Sequence, residues 1–159
     1  MKILLVLAAL FTLGCSTVAS SVNYTSGTQA LEAGDTTQAI HKLERAVELD
    51  PSLARNQNNL AAAYFEAGRI LDGWPHVRRA VMLEPMDQIY RANFQRFVSS
   101  LIRDKTIETG MTEDQVRAAI GDPDGMKVVE PCSYWQYAAI ALCFKGGRLD
   151  GIADMGRSK

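Results

Sequence analysis

Histidine is nearly absent, and with it most of the chemistry that histidine carries. His41 and His76 are the only two. One falls on each expected second helix, with no spacing between them suited to a metal site, so both read as surface residues and no metal is expected. Cysteine is sparse too: Cys15 stands alone near the start, and Cys132 and Cys143 are too far apart for a Cys-x-x-Cys redox pair. No glycine-rich loop leads into a helix, which removes a phosphate cradle and any nucleotide cofactor. Carboxylates are scattered, and Glu44-Arg45 and Glu113-Asp114 read as solvated helix surface. Neither sign of charge is in surplus, with 17 basic against 18 acidic side chains. That balance gives no electrostatic reason to bind nucleic acid or an anionic membrane surface. The longest apolar run, Ile3 to Leu13, is too short to span a bilayer. The chain is therefore read as a non-enzyme without a cofactor.

What is present is a duplication. Glu32-Ala33-Gly34 recurs as Glu66-Ala67-Gly68, Arg45-Ala46-Val47 as Arg79-Ala80-Val81, and Leu49-Asp50-Pro51 as Leu83-Glu84-Pro85, each pair offset by 34 residues. In the first copy the pattern predicts helices from Tyr24 to Ala33 and from Thr36 to Leu49. Asp35 caps the second, with Gln38 in capping-box spacing. Ala39, Leu43, Ala46 and Val47 make one buried stripe, and Pro51 closes the unit. The second copy starts near Ser52 with a helix through Ala67. Its second helix carries Pro75, so a shortened helix from Gly73, capped by Asp72, is expected. Trp74 reads as cover for the hairpin end rather than as an exposed anchor. A further helix, from Asp87 to Arg103, presents Tyr90, Phe94, Phe97, Val98 and Leu101 on one face.

The 34-residue period resembles that of the tetratricopeptide repeat, two antiparallel helices per unit. Gly27, Ala30, Ala39, Leu43, Ala46 and Pro51 occupy the family's places in copy one. Leu60, Ala61, Tyr64, Gly73, Val77, Ala80 and Pro85 do so in copy two. The resemblance implies a protein-binding module whose last repeat is shielded by the extra helix. It places ligands against the first helix of each unit. The implied groove is lined by Tyr24, Thr28, Leu31 and Glu32, then by Arg55, Asn58, Asn59, Phe65 and Glu66, with Arg96 from the last helix. Of the basic and amide clamp used by chaperone-binding members, only Asn59 is matched. A carboxylate clamp is therefore not expected.

The start reads as an export signal, with Lys2 ahead of the apolar run. Thr12-Leu13-Gly14-Cys15 resembles the lipobox of bacterial lipoproteins, which makes Cys15 the lipidation site; ordinary cleavage after Ala19 is the alternative. Ser16 in place of Asp implies forwarding to the outer membrane. Loss of Lys2 with the leader leaves 16 basic against 18 acidic groups, a net of −2, so acyl chains and not a basic face would make the membrane contact.

From Asp104 the pattern changes. Thr112 and Gln115 form a capping box, Met111 and Val116 a hydrophobic staple, and Gly121 and Pro123 stop the helix. Strand-like runs follow at Met126–Glu130, Ser133–Tyr137, Ile140–Lys145 and Arg148–Ala153. Gly146-Gly147 reads as a primed two-residue turn. This segment resembles the SmpA/OmlA, or BamE-like, domain of small outer-membrane lipoproteins. The resemblance is carried by Gly110, Met111, Thr112, Val116, Gly121, Pro123, Trp135, Tyr137, Leu142, Phe144, Gly147 and Leu149. It implies helices packed on one face of a small antiparallel sheet, and a role in the cell envelope. With Gly146-Gly147 as turn, Phe144 faces Leu149. With Tyr137-Ala138 as the preceding turn, Trp135 faces Ile140 and Cys132 faces Cys143. Two readings of that pair stand: a cross-strand disulfide, or two small buried thiols.

The expected fold class is α+β: two tetratricopeptide hairpins and a capping helix, then a small BamE-like helix-plus-sheet domain. The expected segments are a signal peptide (1–14), a short tether (15–22), the helical array (23–103) and the α+β domain (104–159). The function expected is that of an outer-membrane-anchored adaptor facing the periplasm and binding an envelope protein or peptide, with a role in outer-membrane protein assembly. The rival is a secreted or periplasmic inhibitor of a hydrolase, since a related sheet architecture occurs in β-lactamase inhibitory proteins.

Overall fold

The computed structural model describes residues 2–155, with side chains described from residue 17. Cys15 and the leader therefore lie outside the residues whose side chains are described. The chain forms two compact units, Met1–His76 and Val77–Lys159. Their boundary falls inside a helix. Six helices precede four strands: α1 Lys2–Glu32, α2 Thr36–Leu49, α3 Ala54–Glu66, α4 Ile70–Leu83, α5 Gln88–Arg103, α6 Glu113–Ile120, then β1 Gly125–Val129, β2 Cys132–Tyr137, β3 Ile140–Lys145 and β4 Arg148–Asp154.

In the first unit, α2 is the helix its pattern predicts. Asp35 caps it, accepting from the Gln38 N–H, and Ala39, Ile40, Leu43 and Ala46 are buried. They share a core with Ala30 of α1 and with Leu60, Ala63 and Tyr64 of α3; Tyr24, Leu31 and Val47 pack on its flank. Helix α1 approaches α2 very closely at Gly27. A β-carbon there would lie 2.6 Å from Leu43 Cγ and 3.2 Å from the Leu43 backbone nitrogen.

Two corrections concern helix starts. Residues 15–22, expected as a tether, belong to α1. Ser20 is fully buried, and its hydroxyl donates to the Ala46 carbonyl at 3.0 Å. Packing against α2 therefore begins one turn before Tyr24. Helix α4 begins at Ile70, three residues before the expected Gly73, with Pro75 inside it. Pro75 leaves the Leu71 carbonyl without its helical donor. Leu71 is 53% exposed, so water is available to that carbonyl. Asp72, expected as the cap, instead pairs with Arg69 at 2.7 Å.

In the second unit, Phe94, Phe97, Val98 and Leu101 of α5 are buried, as are Val116 and Ile120 of α6. The Thr112–Gln115 capping box is complete in both directions. The sheet is antiparallel in the order β1-β2-β3-β4. Gly146 and Gly147 both have positive φ (57° and 73°), as a primed turn requires. Phe144 lies opposite Leu149, and a bulge follows at Cys143/Phe144.

The β2–β3 hairpin departs from expectation. Its turn is Ala138-Ala139, so Trp135 faces Leu142 and not Ile140, and Cys143 faces Tyr134 and not Cys132. Cys132 and Cys143 are joined nonetheless by a disulfide, reaching diagonally across the ladder with Cα atoms 5.3 Å apart. Tyr137 is the reason for the shift: its ring is fully buried and its hydroxyl donates to the Gly121 carbonyl at 2.8 Å, which holds it in the strand. The Ala138 N–H then donates to Asp124 Oδ2 at 2.7 Å, fixing the turn one residue later.

The Gly27→Ala variant is expected to lose about 1–3 kcal/mol of stability, because the neighbour it meets is partly backbone and cannot swing away. Urea unfolding at matched protein concentration measures this; an unchanged midpoint would show that α1 is free to shift.

Candidate functional site

Tyr24 and Thr28 are one helical turn apart on α1, and Arg55 and Asn59 are one turn apart on α3. The two pairs meet. The Asn59 Nδ2 donates to the Thr28 hydroxyl at 3.1 Å and to the Tyr24 hydroxyl at 3.3 Å. Asn59 Oδ1 accepts from Asn58 Nδ2 at 3.1 Å. The Arg55 guanidinium sits 5.0 Å from the centre of the Tyr24 ring, a cation–π distance. The first helices of two successive hairpins thus share a patch of hydroxyls, an amide and a cation.

The other residues assigned to the groove lie in varied settings. Asn58 is buried, and Leu31 packs on the flank of the core. Glu32 and Glu66 are exposed near the ends of α1 and α3, and Phe65 is half-buried. Arg96 is an exposed residue of α5, in the other unit.

Below the groove lies a polar network that the sequence pattern did not reveal. Asn56, fully buried, donates from Nδ2 to the Ser20 hydroxyl at 3.0 Å, the Ala46 carbonyl at 3.2 Å and the Asp50 carbonyl at 3.3 Å. Its Oδ1 has no partner among the described residues. Gln57 donates to the Pro51 carbonyl at 3.0 Å, and its Oε1 lies 2.8 Å from His76 Nδ1. The amide pair following Pro51 was the available signal, since two adjacent amides in a helix otherwise apolar on its inner side need buried partners.

His76, expected at the surface, is half-buried and stacks on Tyr64 with ring centres 5.9 Å apart. His41 is exposed. The Tyr64 hydroxyl donates to Glu44 Oε1 at 2.5 Å, with Arg69 over its ring at 4.7 Å. Burial, then the bond to Glu44, pushes the Tyr64 hydroxyl up to about 12. Burial lowers the His76 imidazole below its usual value, against the pull of Glu44.

The second unit has its own polar centre. Arg78 pairs with Asp124 and donates to the Asp122 carbonyl at 3.1 Å. The Arg78 and Asp124 side chains are only 14% and 19% exposed. Arg78 also lies 4.9 Å from the centre of the Tyr137 ring. Burial raises the Tyr137 hydroxyl to about 12 despite Arg78 and Arg117. The Tyr137 hydroxyl is thus held far from exchanging its proton near neutrality. Among the described residues there is no cluster of His, Cys, Asp and Glu able to hold a metal ion, and no helix long and apolar enough to cross a membrane.

Residues 28–68 match the sequence model of the tetratricopeptide repeat. Among solved structures, the chain is similar to the tetratricopeptide domain of OM64 from Arabidopsis. The TM-score is 0.53 at 20% identity, covering 65% of this chain and 82% of that one. The helical part has the tetratricopeptide fold. No curated protein matches the sequence. In this fold α1 and α3 are the first helices of successive repeats, which is where the Tyr24–Thr28–Arg55–Asn59 patch lies.

The depressed His76 value has a direct consequence for stability. Between the folded and the unfolded value the unfolded chain binds the extra proton, so stability rises with pH through that window. It is fully present above the ordinary value of 6.5 and is lost as pH falls below it. The melting temperature of the native chain should therefore drop from pH 7.5 to 5.5 more steeply than that of a His76→Gln variant. Parallel slopes would mean that His76 titrates as in the unfolded chain.

Proposed function

We propose that this chain is a protein-binding adaptor of the bacterial cell envelope, gripping an extended segment of its partner in the groove between α1 and α3. The carrying observation is the patch of Tyr24, Thr28, Arg55 and Asn59, which is hydrogen-bonded within itself and half open to solvent. Its groups suit a peptide: hydroxyls and an amide for main-chain carbonyls and N–H groups, and Arg55 for an acidic side chain or terminus. The tetratricopeptide match supports the same reading, because a repeat of this kind stacks helices to present a surface.

Placement in the envelope rests on two features. The lipobox-like run ending at Cys15 would tether the chain through acyl groups, with Ser16 directing it to the outer membrane. The Cys132–Cys143 disulfide belongs with an oxidising compartment such as the periplasm. With Cys15 as the acylated residue, Ser20 follows within two turns of α1 and is already packed. The array would then stand directly on its anchor with no flexible linker. The BamE-like resemblance of the C-terminal sheet suggests, further, a part in outer-membrane protein assembly.

A photo-crosslinking residue placed at Arg55 should capture a small set of envelope proteins in living cells, and Tyr24→Ala should remove those adducts. The same adducts from a probe at exposed His41, on the other helix of the hairpin, would end the groove assignment. Separately, a Cys15→Ala variant should leave the membrane fraction on cell fractionation; continued membrane association would dispose of lipidation.

A further inference from the structure

The second unit contains a cavity of about 490 Å3 that the adaptor reading does not use. Its wall includes Met82 of α4, Met86 of the next turn, Arg91 of α5, Gln136 of β2, Ala139 of the β2–β3 turn and Met155 after β4. Three of the six methionines in the sequence therefore border one space. They are 48%, 86% and 46% exposed, so apolar surface is left in water around a hollow. The volume falls in the range of about 300–1,000 Å3 that small ligands occupy.

One group in this wall is out of balance. Arg91 is half-buried, and among the described residues its guanidinium has no hydrogen-bond or ion-pair partner. Asp124 shares the wall but is already committed to Arg78 and to the Ala138 N–H. The cavity therefore carries one uncompensated positive charge amid methionine and alanine.

The main-chain groups of the β2–β3 turn in this wall are mostly committed already. The Ala138 N–H goes to Asp124, the Ala138 carbonyl accepts from Gln136 at 3.5 Å, and the Ala139 carbonyl accepts from the Met155 N–H at 2.8 Å. A peptide would therefore find few free main-chain partners at that turn. An unbranched hydrocarbon chain needs no such partners, and flexible thioethers mould to it.

We propose that this cavity binds a free fatty acid, a single carboxylate on an unbranched acyl chain. Arg91 takes the carboxylate in a charge-assisted pair, and Met82, Met86 and Met155 cover the chain. The site is separate from the α1–α3 groove, so it stands or falls independently of the adaptor reading.

Dodecanoate, titrated below its micelle concentration into the full chain by calorimetry, is the test. One molecule should bind, with dodecyltrimethylammonium at least tenfold weaker. Arg91→Gln should weaken dodecanoate about tenfold, the loss of one charge-assisted bond, while leaving dodecanol binding and the melting temperature unchanged. Met82→Glu, on the exposed side of α4, should weaken it similarly by placing a like charge at the mouth. Equal affinity for the cationic surfactant, or dodecanoate binding indifferent to Arg91→Gln, would overturn the proposal. So would binding to phosphatidylglycerol vesicles with none to monomeric dodecanoate, which would make the patch a membrane contact.

Discussion

The first unit depends on the approach of α1 to α2 at Gly27, where no β-carbon fits over Leu43. That contact sets the distance between the helices, and several other placements follow from it. Ser20 lies two turns earlier on the same helix and reaches the Ala46 carbonyl; Asn56 then closes over both. Tyr24 and Thr28 flank Gly27 along α1, and they meet Asn59 from α3. A wider spacing would break the buried bonds of Asn56 and the groove patch together. Buried polar groups of this kind are costly when half satisfied. The network therefore holds a defined geometry more than it adds net stability.

The 34-residue duplication made the helical part legible, because helix pairs with glycine ends and a closing proline leave a periodic trace. The start of α1 was not legible. An apolar run near the beginning of a chain reads alike as a leader or as a packed helix, and only the buried Ser20 separates the two from residue 17 onward. Pro75 was weighed as a helix breaker, yet it sits in α4, where it takes the donor from the carbonyl of Leu71, an exposed residue. His76 was misjudged for a different reason. Its neighbours Tyr64 and Gln57 belong to the preceding helix, and no local periodicity reports a contact between helices.

The sheet shows how an expected pairing can be wrong while its faces are right. Moving the β2–β3 turn by one residue shifts the register by two, and side chains alternate with a period of two. Trp135, Leu142 and Phe144 therefore stay on one face, and the cysteines stay together on the other. Composition alone could not choose between the two registers. The choice is made by tertiary partners: the Gly121 carbonyl for Tyr137, and Asp124 for the turn. The groove had a similar limit. The family pattern named ten residues, and the structure brings four of them, Tyr24, Thr28, Arg55 and Asn59, into one hydrogen-bonded and cation–π cluster with buried Asn58 behind them.

That cluster constrains how tightly the proposed adaptor can hold a partner. Its Asn59 amide is already paired with Tyr24, Thr28 and Asn58, so a peptide that engages it exchanges bonds and does not create them. Each exchange contributes on the order of 1 kcal/mol at most. Two repeats offer few such places, and the open side chain with the largest reach, Arg55, gains only a modest amount at an exposed site. The affinity expected of the groove alone is therefore low. Anchoring at Cys15 would change the outcome without adding a contact. Confining the chain to a surface shared with its partner raises the effective concentration that the groove experiences. In the proposed function, localisation and recognition are thus one device: a weak, preformed groove becomes selective because an acyl chain decides which proteins it meets.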